Sequence, residues 1–483
     1  MTASVPPALT FNPLVRVVGD LRAELSTRGA YPAGDTSFSV SRTHRLATDP
    51  LPVLLSCYER YGPVFSVRVL HGIQVFVLGP EANHHVTVSN AANFRWRDGG
   101  LGELVPLLGD GLLTTDGDYH RWARRIVLPA FHHDQVAAAA ETMVEEAVTA
   151  LQPWQSGEVV DVYAWARELA MRIAMRALLG LDPDDGDTGE RAAREFERAL
   201  AFYGTDYWQR TLRGPGSPWR RMHAARRVLD RIVYAEIGRR RQAGRSAAGR
   251  SGEEGSRNAE DRDILGMLLA STDEQGARLS DREVRDQAVT LLFAGHDTST
   301  STISFMLHEL AGHPAERDAL IEEQDRVLGG RTPTAVDLAR GLPRLDMALD
   351  ETLRLYPPAW IGPRRAVDDF EVAGTRVPGG AFVNYCSWAS HRLPEVFPEP
   401  EAFLPDRFAP EAKAALPKGA YVPFGGGSRT CVGMRFGQME IKAVITALLQ
   451  RYRLEALPGR TMTVRQMPTL SPRGGLRMAV RPR

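Results

Sequence analysis

The sequence predicts a mainly α-helical fold organised around one long central helix, with a small β-rich region beside it. Three observations carry this. A capping box at Ser280 and Glu283 opens an apolar pattern at helical spacing that reaches Leu310 without a proline, before Gly312 and Pro314 stop it. A second helical tract extends from about Tyr119 to Leu179, broken only at Pro129, Pro153 and Gly157. β-Rich patterns are confined to short stretches, Val64 to Leu78 and Val372 to Trp388.

Taken in chain order, Met1 to Thr10 lack the basic start, apolar stretch and cleavage site of a secretory signal. Phe11, Leu14, Val15, Val18 and Leu21 form a short amphipathic stretch of a kind that can touch a membrane surface, although docking on its own domain is the commoner arrangement. Residues 1–50 are read as an N-terminal extension. Val64 to Leu70 and Ile73 to Leu78 then make a hairpin across His71 and Gly72. Residues 243–262, rich in Gly, Ser, Ala and charge, read as a flexible surface loop. Helical patterns on both sides argue against a domain boundary there. Gly374, Pro378 and Gly379 punctuate the second β region.

Bulk composition narrows the function classes. With 483 residues, 43% hydrophobic and 24% charged, the chain has ample material for a large core. A formal net charge of zero gives no bulk attraction to nucleic acid. Cys57, Cys386 and Cys431 leave one thiol unpaired in any disulfide scheme and lack zinc-site spacing. No apolar run approaches the ~18 residues of a membrane span, so no transmembrane anchor and a cytoplasmic, reducing location are expected.

The long helix has a weak middle. Ala288 to Ala294 are nearly all apolar, yet Gly295 costs about 1 kcal/mol relative to alanine and Thr298 to Thr302 compete for backbone hydrogen bonds. His296, Asp297 and Thr298 follow directly, where an acid and a hydroxyl are costly unless hydrogen-bonded. Ala294 and Thr298 share a face. A solvent-facing polar turn is the plain alternative.

Near the C-terminus, Phe424-Gly425-Gly426-Gly427-Ser428-Arg429-Thr430-Cys431-Val432-Gly433 precedes a helical run from Met434. Glycines permit positive φ, so several backbone N–H groups can turn toward one sulfur, and the following helix adds the positive end of its dipole. A phosphate cradle would need a Walker lysine or a GxGxxG, and neither is present. Inert packing is the bland reading of a lone cysteine. Glu351 and Arg354 lie at i,i+3 on a helix that Pro357 and Pro358 end, and Met347, Leu349, Leu353 and Leu355 point to burial of that pair. Arg407 is the candidate second arginine.

Together these residues resemble the cytochrome P450 superfamily. Phe424 to Gly433 fits its cysteine-ligand signature, Ala294-Gly295-His296-Asp297-Thr298 its oxygen-activation motif, and Glu351-Thr352-Leu353-Arg354 its ExxR pair. The resemblance spans about Tyr61 to Pro482 and implies a single mainly α domain, 1–483. It further implies haem b with Cys431 as the axial ligand, and Ala294, Phe424 and Gly433 against the cofactor. His120 with Arg124, together with Arg365 and Arg429, is implied on the propionates, and Glu351, Arg354 and Arg407 form a structural triad. Asp297 is implied as proton relay and Thr298 as hydrogen-bonding partner of bound oxygen. Asp406, Leu393 and Gly437 depart from the commoner Glu, Asp and Ala, which touches only local packing.

The activity so implied is a haem-dependent monooxygenase that inserts one oxygen atom from O2 into a lipophilic small molecule, by hydroxylation or epoxidation. Electrons would come from a separate ferredoxin or flavodoxin with its reductase, with Arg121, Arg125 and Arg435 as a candidate face for an acidic partner. The alternatives are a haem-thiolate peroxygenase, an isomerase or dehydratase, or a non-enzymatic haem sensor. Pocket candidates are Phe94 to Leu113, Ala201 to Trp208, Leu292, Phe293, Trp360, Ile361 and Leu470.

Overall fold

The structure is a computed structural model that describes residues 13–27, 29–70, 72–184, 187–205, 207–248, 263–273 and 275–483. Its helices relevant to function are α1 (Pro13–Ser26), α2 (Val40–Thr48), α3 (Gly117–Val127), α4 (His133–Ala150), α5 (Val162–Leu179), α6 (Asp187–Leu200), α7 (Pro218–Ala248), α8 (Asp281–Gly312), α9 (Pro343–Leu355) and α10 (Met434–Leu449). The long central helix is α8, and its capping box forms as the sequence predicts: Ser280 accepts from Glu283 N–H while the Glu283 carboxylate returns to the Ser280 backbone. α5, α8 and α10 bury Ile173, Leu292, Ile303, Val444 and Leu448 in one main core.

The small β region is real and larger than predicted. β1 (Gly34–Asp35), β2 (Val64–Val69), β3 (Gly72–Val77), β4 (Phe94–Arg95), β6 (Ile361–Ala366) and β9 (Phe382–Cys386) form one sheet in the order β1-β2-β3-β9-β6-β4. β2 and β3 pair antiparallel with Phe65 opposite Phe76, as the hairpin reading requires; His71 lies outside the described residues. β5 (Val159–Asp161), β10 (Tyr452–Ala456) and β13 (Arg477–Pro482) make a second sheet. Two ribbons complete the set, β7 (Phe370–Val372) with β8 (Thr375–Val377), and β11 (Val464–Arg465) with β12 (Ser471–Pro472). The β5/β10/β13 sheet carries no clear strand signal in the sequence, because its strands are short and mix charge with apolar residues.

Two expectations are corrected. Residues 243–248 are the last turns of α7, since Ala-rich sequence extends a helix at little cost, and the rest of 243–262 lies outside the described residues. Residues 13–50 are not a mere extension. β1 is an edge strand paired in parallel with β2, and the approach is so close that a Cβ on Gly34 would sit 2.0 Å from the Ser66 carbonyl oxygen. Among the described residues, no helix is long and apolar enough to cross a membrane.

Candidate functional site

Cys431 ends the glycine-rich loop and is exposed, whereas Cys57 and Cys386 are buried. The loop is pinned at its base, where the Cys431 N–H donates to the Phe424 carbonyl at 3.0 Å. Gly425 and Gly427 take positive φ (69° and 58°), and a Cβ on Gly427 would stand 2.4 Å from the Thr87 carbonyl oxygen, so the glycines serve both turn and close approach. Surrounding protein pushes the Cys431 thiol up, against the backbone N–H of Gly433 and the charge of Arg124, which pull it down. α10 begins at Met434 with Gly433 as its N-cap, so the sulfur lies by the positive helix end.

The weak middle of α8 proves to be an opening. From Val284 to Leu307 only Phe293, Ala294, Gly295 and Thr298 escape full burial, so Ala294 and Thr298 form an accessible notch on an otherwise enclosed helix. The hydroxyl run is satisfied locally: Thr298 Oγ1 donates to the Ala294 carbonyl at 2.7 Å, and Thr300, Thr302 and Ser304 bond back one turn likewise. Ser299 instead reaches Glu440 at 2.5 Å. Asp297 is no solvent-facing turn residue. It is buried, with Oδ1 held by Arg167 Nη1 at 2.8 Å and Oδ2 without a hydrogen-bond partner among the described residues. Arg167 also grips Glu197, whose carboxylate lies 3.0 Å from His296 Nε2. Burial alone would raise Glu197, but His296 and Arg167 outweigh it and hold the carboxyl at about 2.

A concentration of cations completes the site. His120 and Arg124 lie one turn apart on α3, Arg124 donates to the Thr430 carbonyl at 2.7 Å, and Arg429 pairs with Asp116 at 2.8 Å. Burial, with Arg429 and Arg124 adding, pulls the His120 imidazole down to about 3, so it is neutral. Burial, opposed by Asp116 and reinforced by Arg364, Arg124 and Arg95, draws Arg429 down to about 10. Arg365 does not join this group. Strand alternation on β6 turns it to Asp20 (3.2 Å) and the Gly380 carbonyl, whereas its neighbour Arg364 faces inward, over the Trp96 ring at 3.7 Å. The expectation for Arg365 is therefore corrected: it lies off the cation cluster, and Arg364 stands there in its place.

The cytochrome P450 family model matches residues 43–477. The chain belongs to the cytochrome P450 family. It is 34% identical to the cyclooctatin synthase of Streptomyces melanosporofaciens over 91% of this chain and 88% of that protein. It is also 34% identical to the same organism's cyclooctat-9-en-7-ol 5-monooxygenase, over 74% of this chain and 75% of the relative. The fold superposes on the retinoic acid bound cyanobacterial CYP120A1 with a TM-score of 0.79, at 27% identity over 94% of this chain and 99% of that one. This cytochrome P450 is an oxidoreductase of the monooxygenase type, and its cofactor is haem b. The residues present fit that group: one accessible thiol, an open notch on α8, and a buried and two half-buried arginines whose mutual repulsion calls for a polyanion such as two carboxylates.

Glu351 and Arg354 of this P450 form a fully buried pair, with the half-buried Arg407 beside it. Arg354 donates from Nε and Nη2 to the two Glu351 oxygens at 2.7 and 2.8 Å, and neither residue has any exposed surface. Arg354 also bonds the carbonyls of His391, Pro400 and Ala402, while Leu404 N–H and Arg407 Nε (3.4 Å) approach Glu351. His391 then ties the triad to the cysteine loop: Nδ1 meets the Arg354 carbonyl and Nε2 accepts from Val422 N–H at 3.0 Å. Of the departures, Asp406 is exposed beside Arg344, Leu393 is buried core, and Gly437 has open space where a side chain would stand.

Several pocket candidates are ordinary core. Trp360 packs on Trp388 and donates to the Gln466 carbonyl, Leu470 lies in the same cluster, Phe94 meets Phe370 edge to face, and Leu107, Leu108 and Leu292 are fully enclosed. Leu104, Leu113, Phe293 and Ile361 remain half-buried. Asp206 and the side chains of Tyr207 and Trp208 lie outside the described residues. Sequence reasoning missed Arg167, Glu197 and Arg364. Only Arg364 carried a signal, the period-2 alternation that puts it on the same strand face as Gly362 and Ala366.

Proposed function

We propose that this P450 oxidises a lipophilic small molecule by hydroxylation or epoxidation, with Cys431 as the axial ligand of the haem and Asp297 and Thr298 managing protons. The observation that carries this is the accessible thiol of Cys431 beside the Arg124/Arg364/Arg429 cluster, and the accessible Ala294/Thr298 notch on α8 supports it. Haem-thiolate chemistry supplies cleavage of the O–O bond when the group is bound. The chain's own part is to hold and move protons. Thr298 Oγ1 gives its hydrogen to Ala294 and keeps lone pairs for an acceptor role at the notch. Asp297 keeps one oxygen on Arg167 and has the other without a hydrogen-bond partner among the described residues, so that oxygen can take up a proton and pass it on.

His120, Arg124, Arg364 and Arg429 would bind the haem carboxylates, with Ala294, Phe424 and Gly433 against its faces. The half-buried lining residues Leu104, Leu113, Phe293 and Ile361 are apolar, which favours a hydrocarbon-rich substrate. The relatives' names, cyclooctat-9-en-7-ol and retinoic acid, describe hydrocarbon frames bearing one polar group. A separate ferredoxin or flavodoxin with its reductase would supply electrons. Arg121, Arg125 and Arg435 are exposed on the elements flanking the cysteine loop, with Arg121 already engaged by Asp118.

The test is spectroscopic. In the wild-type holoprotein the reduced carbonyl complex should show the red-shifted thiolate band, and Cys431→Ser should keep some haem but lose that band. A retained band in Cys431→Ser, or its loss in Cys57→Ser or Cys386→Ser instead, would refute the ligand assignment. A screen of lipophilic compounds for spectral shifts then addresses the substrate class.

A further inference from the structure

An amphipathic helix that docks on a domain ordinarily presents its apolar stripe to the core, and the described side chains of α1 from Asp20 to Leu25 do the reverse. Its carboxylates face inward: Asp20 pairs with Arg365, and Glu24 pairs with Arg68 and accepts from Ile73 N–H, leaving these side chains 11% and 19% exposed. Val18, Leu21 and Leu25, at helical spacing on the other face, point outward, Leu25 at 85% exposure. Phe38 and Val40, at the start of α2, are 69% and 64% exposed. Leu70, at the tip of the β2–β3 hairpin, holds φ at 51°, an unfavourable conformation for leucine, with its side chain exposed. The tip is tied to α2 by Leu70 N–H on Thr43 Oγ1, so α1, α2 and the hairpin present these side chains from adjoining elements.

Charge identifies the occupant. The carboxylates between residues 17 and 48 are Asp20, Glu24 and Asp35, and all three are engaged by arginines, Asp35 by Arg42 and Arg60. Arg22 and Arg45 are exposed and form no ion pair among the described residues. The face is thus apolar and basic, with Asp49 at the far end of α2 its one exposed acid outside an ion pair among the described residues, the composition of a segment that lies in a bilayer interface bearing anionic lipid. We infer that α1, α2 and the β2–β3 tip dock this P450 peripherally on an anionic lipid surface. No spanning helix is needed, because the contact lies in the interface plane.

Flotation of the full-length holoprotein with vesicles of phosphatidylglycerol and phosphatidylcholine, against phosphatidylcholine alone, tests this. Wild type should co-float with the anionic vesicles, and added salt should weaken that binding. The Leu25→Glu/Phe38→Glu double variant should lose at least about tenfold in partitioning while keeping its haem spectrum. Arg22→Glu should lose the preference for anionic lipid, and Val336→Glu, at an exposed apolar residue elsewhere, should bind as wild type does. Absence of wild-type flotation, or equal flotation of the double variant, overturns the proposal. So does a dimer that Leu25→Glu dissociates, which would make a second copy the occupant, or flotation that appears only when residues 2–12 are removed, which would make them the cover.

Discussion

Arg364 and Arg365 show how one strand position decides a residue's role. Both are arginines on β6, but Arg364 is buried against Trp96 near Arg429, and Arg365 bonds Asp20 and Gly380 on the other side. Arg364→Ala should therefore lower haem occupancy and speed haem loss to an acceptor such as apomyoglobin, while Arg365→Ala should leave both unchanged. The reverse result would restore Arg365 to the cofactor side. Thr298 and Asp297 separate by function in the same way. Thr298→Ala removes a hydroxyl at the notch but no buried charge, so haem binding should persist while more of the reducing equivalents appear as hydrogen peroxide. Asp297→Asn should instead slow turnover, because the relay loses its acid. Unchanged product per NAD(P)H in the first and an unchanged rate in the second would remove both from the proton path.

At the scale of elements, α9 and the cysteine loop are one mechanical unit joined through Arg354, His391 and Val422. Deleting either member of the Glu351–Arg354 pair strands a buried charge at about 3 to 5 kcal/mol, against a total stability of about 5 to 15 kcal/mol. Glu351→Ala and Arg354→Ala should each yield little folded holoprotein, and near-normal yield and melting temperature in both would contradict the burial seen here. What was legible in the sequence follows from locality. The α8 capping box, the hairpin and the cysteine loop are written within a few residues each, so spacing and turn chemistry suffice to read them. The grip of Arg167 on Asp297 spans 130 residues, and the inward turn of Asp20 and Glu24 depends on arginines in β6 and β2. Periodicity marked α1 as amphipathic but could not tell which face the domain would take.

For the molecule as a whole, buried titratable groups bound the pH range of stability from both sides. His391 sits between α9 and the cysteine loop, and burial, with Arg354 adding, pulls it down to about 3. Its native form is neutral, so the unfolded chain binds the extra proton as pH falls below about 6.5, and stability declines on the acid side. Glu440 acts oppositely. It is buried on α10 with Ser299 as its hydrogen-bond partner, and burial pushes its carboxyl up to about 8. Between the unfolded value of about 4.3 and the folded one near 8, the native state keeps a proton that the unfolded state has released. Stability contributed by this group is therefore lost progressively as pH rises through that window, and is fully lost above it. Glu440→Gln keeps the shape and an acceptor for the Ser299 hydroxyl without a titrating proton. The variant should match or fall slightly below wild type near pH 5, and the gap should shift in its favour up to about pH 8. Melting temperatures of the two holoproteins across that range provide the check; parallel curves would mean that Glu440 is ionised in the folded protein and compensated by a partner other than Ser299.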